Sequence, residues 1–314
     1  MGEVSNITRK RGTGSLPLVA AFAAGLAVLA PAQSSGASPD GRPIAYPNSI
    51  AFGAYDPHAD FTSDHNVKIE ALFLPWQDVD LTTLRDADDY ARQRGRDLLI
   101  SVEPWTWSKT EHISAPALLQ GILGGQYDGN IAAICSIAGK FVTRTTIRWA
   151  QEMEDPRIRF SWQGWTGEEY KAAYRHFVDH CRASAPRAKF MWSPKGLPGL
   201  DKYYPGDAYV DSIGLSVFGL QQYDRDRFGH DRTFAEILKP GYDLVAKFNK
   251  PICVAELGYV GNADYVRDWA EGALKPNPLF PKLGCVVYFD DKEVAAWPAH
   301  YGLPNWRVTS NIAP

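Results

Sequence analysis

The stretch Thr145-Thr146-Ile147-Arg148-Trp149-Ala150-Gln151-Glu152-Met153-Glu154-Asp155 decides how this chain is read. A short β-branched run ends in a carboxylate, and two tryptophans, Trp162 and Trp165, follow closely. Strands that deliver an acid into an aromatic loop are the parts of a sugar-cleaving site. The rest of the chain must then supply a second acid and a frame that holds both.

Working outward, seven more short apolar runs read as strands. Ile50–Tyr55, Val67–Trp76 and Leu98–Glu103 precede the opening motif. Lys189–Trp192, Tyr209–Leu215, Pro251–Glu256 and Gly284–Phe289 follow it. Segments with helical spacing lie between them: Asp80–Arg94, Ile131–Lys140, Gly167–Ala185, Thr233–Phe248 and Tyr265–Leu274. Apolar strands alternating with helices indicate parallel βα units. Eight of them at this length predict a (β/α)8 TIM barrel over residues 48–308. An open doubly wound sheet would call for a Gly-rich phosphate turn after the first strand, and Gly53-Ala54-Tyr55-Asp56-Pro57 is not one.

The 314 residues are 45% hydrophobic and 22% charged, with a net charge of -3. That balance suits an ordinary globular protein and gives no electrostatic case for nucleic acid. Arg9-Lys10-Arg11, the apolar run Leu16–Ala30 and Ala30-Pro31-Ala32 have the order of a secretory leader over residues 1–32. The apolar run is shorter than the ~20 residues of a comfortable bilayer span, and an uncleaved anchor is the alternative. A polar linker, 33–47, would follow. The protein is expected to be secreted or periplasmic and monomeric, with no stable membrane span after processing. Export permits disulfides among Cys135, Cys181, Cys253 and Cys285, but the count fixes no pairing. For the strand cysteines Cys253 and Cys285, buried free thiols are the preferred reading.

In a TIM barrel the chemistry sits where strands end. Glu152 ends the fourth strand and Glu256 the seventh, so both face one mouth. Arg148-x-x-Gln151-Glu152-Met153 with Trp162 and Trp165 resembles the Arg-x-x-His-Glu-Met-Asn…Trp signature of glycoside hydrolase family 26. Trp192-Ser193-Pro194, Tyr204-Pro205-Gly206-Asp207, Val210-Asp211-x-x-Gly214-Leu215 and Pro251-Ile252-x-x-Ala255-Glu256-x-Gly258 resemble its later strands. The resemblance spans roughly Ile50 to Trp306.

It implies retaining hydrolysis of a β-1,4-linked polysaccharide, β-mannan or mixed-linkage β-glucan, without metal or organic cofactor. Glu256 matches the nucleophile and Glu152 the acid/base, a pair that needs about 5–5.5 Å between carboxyls. Arg148 shares strand parity with Glu152 and is expected beside the carboxylates, where a cation favours an ionised nucleophile. Gln151 stands where the family has His, so it can position but not titrate. Phe218 stands near the place of a tyrosine that holds the nucleophile, for which Tyr223 or Tyr288 could substitute. Trp105, Trp162, Trp165, Trp192 and Trp297 fall at or after strand ends and are expected as sugar-stacking platforms. Alternatives are a binding protein that has lost turnover, or a transglycosylase. His176 and His180, one helical turn apart, read as surface or packing histidines.

Overall fold

The computed structural model describes residues 40–105 and 112–313. The expected leader and residues 33–39 of the linker lie outside them. Eight parallel strands close on one another in chain order. They are β1 (Ala51–Tyr55), β2 (Val67–Pro75), β3 (Asp97–Glu103), β4 (Thr145–Trp149), β5 (Lys189–Trp192), β6 (Ser212–Leu220), β7 (Ile252–Val260) and β8 (Leu283–Phe289). Closure removes every sheet edge, and this is the expected (β/α)8 barrel.

The helices are α1 (Thr83–Arg94), α2 (Ala115–Leu123), α3 (Asp128–Ala138), α4 (Gly167–Ser184), α5 (Gln221–Phe228), α6 (Phe234–Val245) and α7 (Ala263–Gly272). The sequence reading missed α2 and α5. The short α5 is strongly polar, with only Gln221 and Asp224 buried, so it carries no apolar stripe to find. β6 runs five residues past its expected end, carrying Ser216 and Phe218 to the mouth. α4 starts on a capping box: the Glu169 carboxylate accepts from the Thr166 backbone N–H, and the Thr166 hydroxyl accepts from the Glu169 N–H.

Two layers of core follow from strand alternation. Ile147, Trp149, Trp192, Val254 and Leu257 point outward under the helices. Ala71, Leu99, Met191, Cys253, Ala255 and Val287 fill the lumen. The lumen is tight: a Cβ on Gly214 would lie 2.6 Å from Met191 Sδ and 2.9 Å from Ala255 Cβ. Residues 40–47 are docked onto the barrel. Gly41 donates to the Val308 carbonyl and Ile44 to that of Ala270. The chain also stays engaged beyond residue 308, because buried Asn311 donates to the Gly41 carbonyl.

All four cysteines are paired. Cys135 on α3 joins Cys181 on α4. Cys253 joins Cys285, correcting the expectation of free thiols for this pair. β7 and β8 are neighbours, and their register sets Cys253 directly opposite Cys285. The Cys135–Cys181 link spans 46 residues of chain. Replacing both cysteines with alanine is expected to cost about 2–4 kcal/mol. It should appear as a lower urea midpoint, with an m-value that rises because the unlinked unfolded chain is more expanded.

Candidate active site

The site is built from two departures from regular strand geometry and one buried arginine. The first follows β4. Ala150 has φ 48° and Glu152 φ 56°, left-handed values that cost a non-glycine residue about 1–3 kcal/mol each. Surrounding groups hold this turn carbonyl by carbonyl. The Tyr170 hydroxyl donates to Ala150 O at 3.2 Å, the Trp162 indole N–H to Gln151 O at 2.7 Å, and Gln163 Nε2 to Glu152 O at 2.8 Å. Glu152 N–H donates to Ser193 O at 2.8 Å. Glu152 therefore leaves its strand on a strained turn whose three successive carbonyls each accept a hydrogen bond, three residues past the end of β4.

The second departure lies within β7. Strict alternation from Cys253 and Ala255, both facing the lumen, would send Glu256 outward. The register between β6 and β7 slips between Leu215 and Ser216: Leu215 opposes Val254, and Ser216 opposes Glu256. Ala255 is skipped, and the parity of the strand changes. This bulge turns Glu256 into the barrel, a known use of an extra residue in a strand.

The third feature is Arg148, whose side chain is fully buried in the lumen. Its Nη1 donates to Glu256 Oε1 at 2.6 Å and to Ser101 Oγ at 3.3 Å, and its Nε to Ser193 Oγ at 2.8 Å. β4 and β7 are not neighbours in the barrel, so the Arg148–Glu256 pair crosses the lumen. Gln151 Nε2 donates to Glu103 Oε1 at 2.8 Å, and the Trp105 indole donates to the other oxygen of Glu103 at 3.1 Å.

Both candidate carboxyls feel burial and each other. Burial pushes Glu256 up, Arg148 pulls it back and the charge of Glu152 pushes it up again, leaving it above the usual glutamate range. For Glu152 burial is outweighed by Lys195 and Arg159, and the carboxyl lies below that range. Lys195 Nζ is 3.8 Å from Glu152 Oε2 and donates to Asp155 Oδ2 at 2.7 Å. Of the two carboxyls, Glu256 is thus the harder to ionise. Arg148 does favour an ionised Glu256, but burial is the larger effect.

Several expected contacts are corrected. Trp162, Trp165 and Trp192 are buried and present no face to a sugar. Trp162 braces the Glu152 turn. Trp165 donates to Ala115 O at 2.7 Å. Trp192 points out of the barrel, edge-on to Tyr204 and Phe248. Tyr288 is also buried outside the lumen, and its hydroxyl donates to Trp306 O at 2.6 Å. Tyr223 packs on Phe228, Trp297 and Tyr301.

A residue absent from the sequence reading stands nearer the chemistry. The Tyr55 hydroxyl at the end of β1 is pushed well up, first by burial and then by the charges of Asp291, Glu103 and Glu256. Its ring lies 4.9 Å from that of Phe73 and 5.1 Å from that of Phe289. With half-buried Phe218, 6.3 Å from Phe289, these rings form an aromatic wall at the mouth. Trp105 and Trp297 remain half-exposed. Lys195 lies just past β5, Arg159 in the loop after β4 and Tyr55 at the end of β1, positions that many other residues share.

Arg148→Met leaves Glu256 buried without its cation and is expected to cost about 3–5 kcal/mol. Adding Glu256→Gln should recover part of that loss in a double-mutant cycle read by denaturant unfolding.

Comparison with known proteins bears on this geometry. The sequence pattern described as Glycosyl hydrolase family 26 matches residues 146–266, which run from β4 into α7. A β-1,3-xylanase from a Vibrio species is 28% identical over 151 residues, covering 46% of this chain and 30% of that protein. Endoglucanase H of Acetivibrio thermocellus is 25% identical over 238 residues, covering 72% of this chain and 25% of that protein. The chain thus spans less than a third of the length of these relatives. A family 26 β-mannanase from Bacteroides ovatus has a TM-score of 0.57 at 20% identity, over 77% of this chain and 80% of that one. A modular endo-β-1,4-mannanase from Cellulomonas fimi gives 0.60 at 14% identity, over 88% and 68%. At these identities the structural likeness speaks for the barrel, while the sequence match covers the strands that carry Arg148, Glu152 and Glu256. Residues 146–266 thus carry the sequence pattern of glycosyl hydrolase family 26.

Proposed function

We propose that the protein is a retaining endo-β-glycosidase acting on a β-linked polysaccharide, β-mannan or mixed-linkage β-glucan. The observation that carries this reading is the delivery of two glutamates into one lumen by two separate backbone irregularities, with one of them bonded to a buried arginine. A fold with no use for a second lumen carboxyl would not need the bulge in β7.

Glu256 attacks the anomeric carbon, and the glycosidic bond to the leaving oxygen breaks as Glu152 protonates that oxygen. Glu152 then takes a proton from water, which attacks the glycosyl–Glu256 ester and releases the sugar with its configuration retained. Arg148 fixes one oxygen of Glu256 and leaves the other to react. Gln151, held by Glu103, offers a neutral amide beside Glu152. Sugar rings would stack on Trp105, Trp297 and the Phe218 wall. Two disulfides suit an oxidising compartment, in keeping with export directed by residues 1–32. No described helix is long and apolar enough to cross a membrane.

Glu152 must carry a proton in the first step. Lys195 opposes that, because its charge stabilises the Glu152 carboxylate. Lys195→Met removes the cation, raises the Glu152 carboxyl and keeps the acid protonated to higher pH. The alkaline limb of kcat/KM should therefore move upward, and a profile unchanged from wild type would remove Lys195 from the account.

The assignment itself is tested by reducing-end release from β-mannan, lichenan, cellulose, β-1,4-xylan and β-1,3-xylan. One polymer should be cut, with Glu152→Gln and Glu256→Gln each lowering kcat by about 10²–10⁴-fold or more. The first product should have the β configuration by proton NMR. Cleavage that survives both substitutions would sink the residue assignment. Binding without cleavage would move the reading to a carbohydrate-binding barrel.

A further inference from the structure

On the outer layer, far in sequence from Glu256, α3 and α4 bring together three metal-ligating side chains. His176 and His180 are one turn apart on α4, and their rings lie 4.3 Å apart. Asp128, the first residue of α3, reaches both. His176 Nε2 is 2.7 Å from Asp128 Oδ1, and His180 Nδ1 is 3.8 Å from Asp128 Oδ2. One ligand atom from each of the three residues falls within 4.8 Å of the others. The sequence shows only the histidine pair, because Asp128 lies nearly fifty residues upstream and joins it through tertiary packing.

We propose that Asp128, His176 and His180 bind one divalent transition-metal ion of the zinc type. Two imidazoles at i and i+4 form a chelating pair on one helix face, and a carboxylate from a second helix completes three ligands. Around a tetrahedral Zn2+, with bonds of about 2.0–2.2 Å, ligand atoms sit roughly 3.3–3.5 Å apart. The spacings seen here bracket that value, so closing on an ion takes side-chain adjustment alone. Nitrogen and oxygen donors together suit Zn2+ better than the all-oxygen sets that hold calcium or magnesium. The side chains of His180 and Asp128 are 42% and 35% exposed, which leaves the fourth position to water.

The helices are already fixed to each other. Cys135 lies two turns along α3 from Asp128, and its partner Cys181 is the residue after His180. The disulfide therefore orders this corner before any ion arrives, which lowers the cost of assembling the ligands. A simple ion pair accounts for His176 on Asp128. It does not account for His180, whose ring stacks on His176 with Nδ1 turned toward the second oxygen of the same carboxylate. The ion would clamp α3 to α4 and take no part in cleavage, so this site stands or falls apart from the glycosidase reading.

The test uses tag-free full-length protein, stripped with chelator and titrated with zinc chloride by calorimetry. One equivalent should bind, and zinc should raise the thermal midpoint. His180→Ala and Asp128→Asn should each weaken binding tenfold or more, and both should still fold because both positions are partly exposed. His230→Ala, at an exposed histidine paired with Glu236 elsewhere, should bind like wild type. Cobalt in place of zinc should give the intense visible absorption of tetrahedral Co2+ in wild type and not in His180→Ala. No binding, or binding indifferent to His180→Ala and Asp128→Asn, would overturn the proposal and leave an ion pair only.

Discussion

A guanidinium with no access to water is the constraint on which the site depends. Arg148 cannot shed its proton, so its burial is tolerable only if the lumen supplies acceptors around it. Ser101, Ser193 and Glu256 do so from three different strands or strand ends. This requirement ties together the register of β3, the end of β5 and the bulge in β7. Without the bulge Glu256 would face the helices, and the cation would keep only the hydroxyls of Ser101 and Ser193. The same arginine thus explains a local irregularity on the far side of the barrel.

The electrostatics above this pair are finely balanced. Buried carboxyls in one lumen cannot both ionise without help, and the help comes unevenly. Glu256 has Arg148, while Glu152 has Lys195 and Arg159 at the rim. The rim cations can respond to whatever enters the mouth, because Lys195 is shared with Asp155.

The barrel was legible because each strand is a short apolar run, and a closed sheet repeats one pattern eight times. That both glutamates face one mouth was expected from the same pattern. The bulge that turns Glu256 inward was not. Alternation alone gives the wrong face for Glu256, and nothing in Val254-Ala255-Glu256 announces a skipped residue. Trp162, Trp165 and Trp192 were misread for a related reason. An indole at a strand end reads equally well as a platform or a brace, and only the destination of its N–H separates them. For Trp162 that destination is the carbonyl of Gln151. The pairing of Cys253 with Cys285 needed only strand adjacency and a register, but the register depends on slips along β7 that composition does not record.

The turn that carries Glu152 has a consequence for how this site can change over time. Its three successive carbonyls are held by Trp162, Gln163 and Tyr170, and Tyr170 belongs to the helix that follows. The short motif is therefore not a portable part. Moving residues 148–155 into another barrel would leave a strained backbone with no donors to hold it. The heritable unit is the whole segment from β4 into the first turns of α4, within which the acid, its strain and its braces must drift together or not at all.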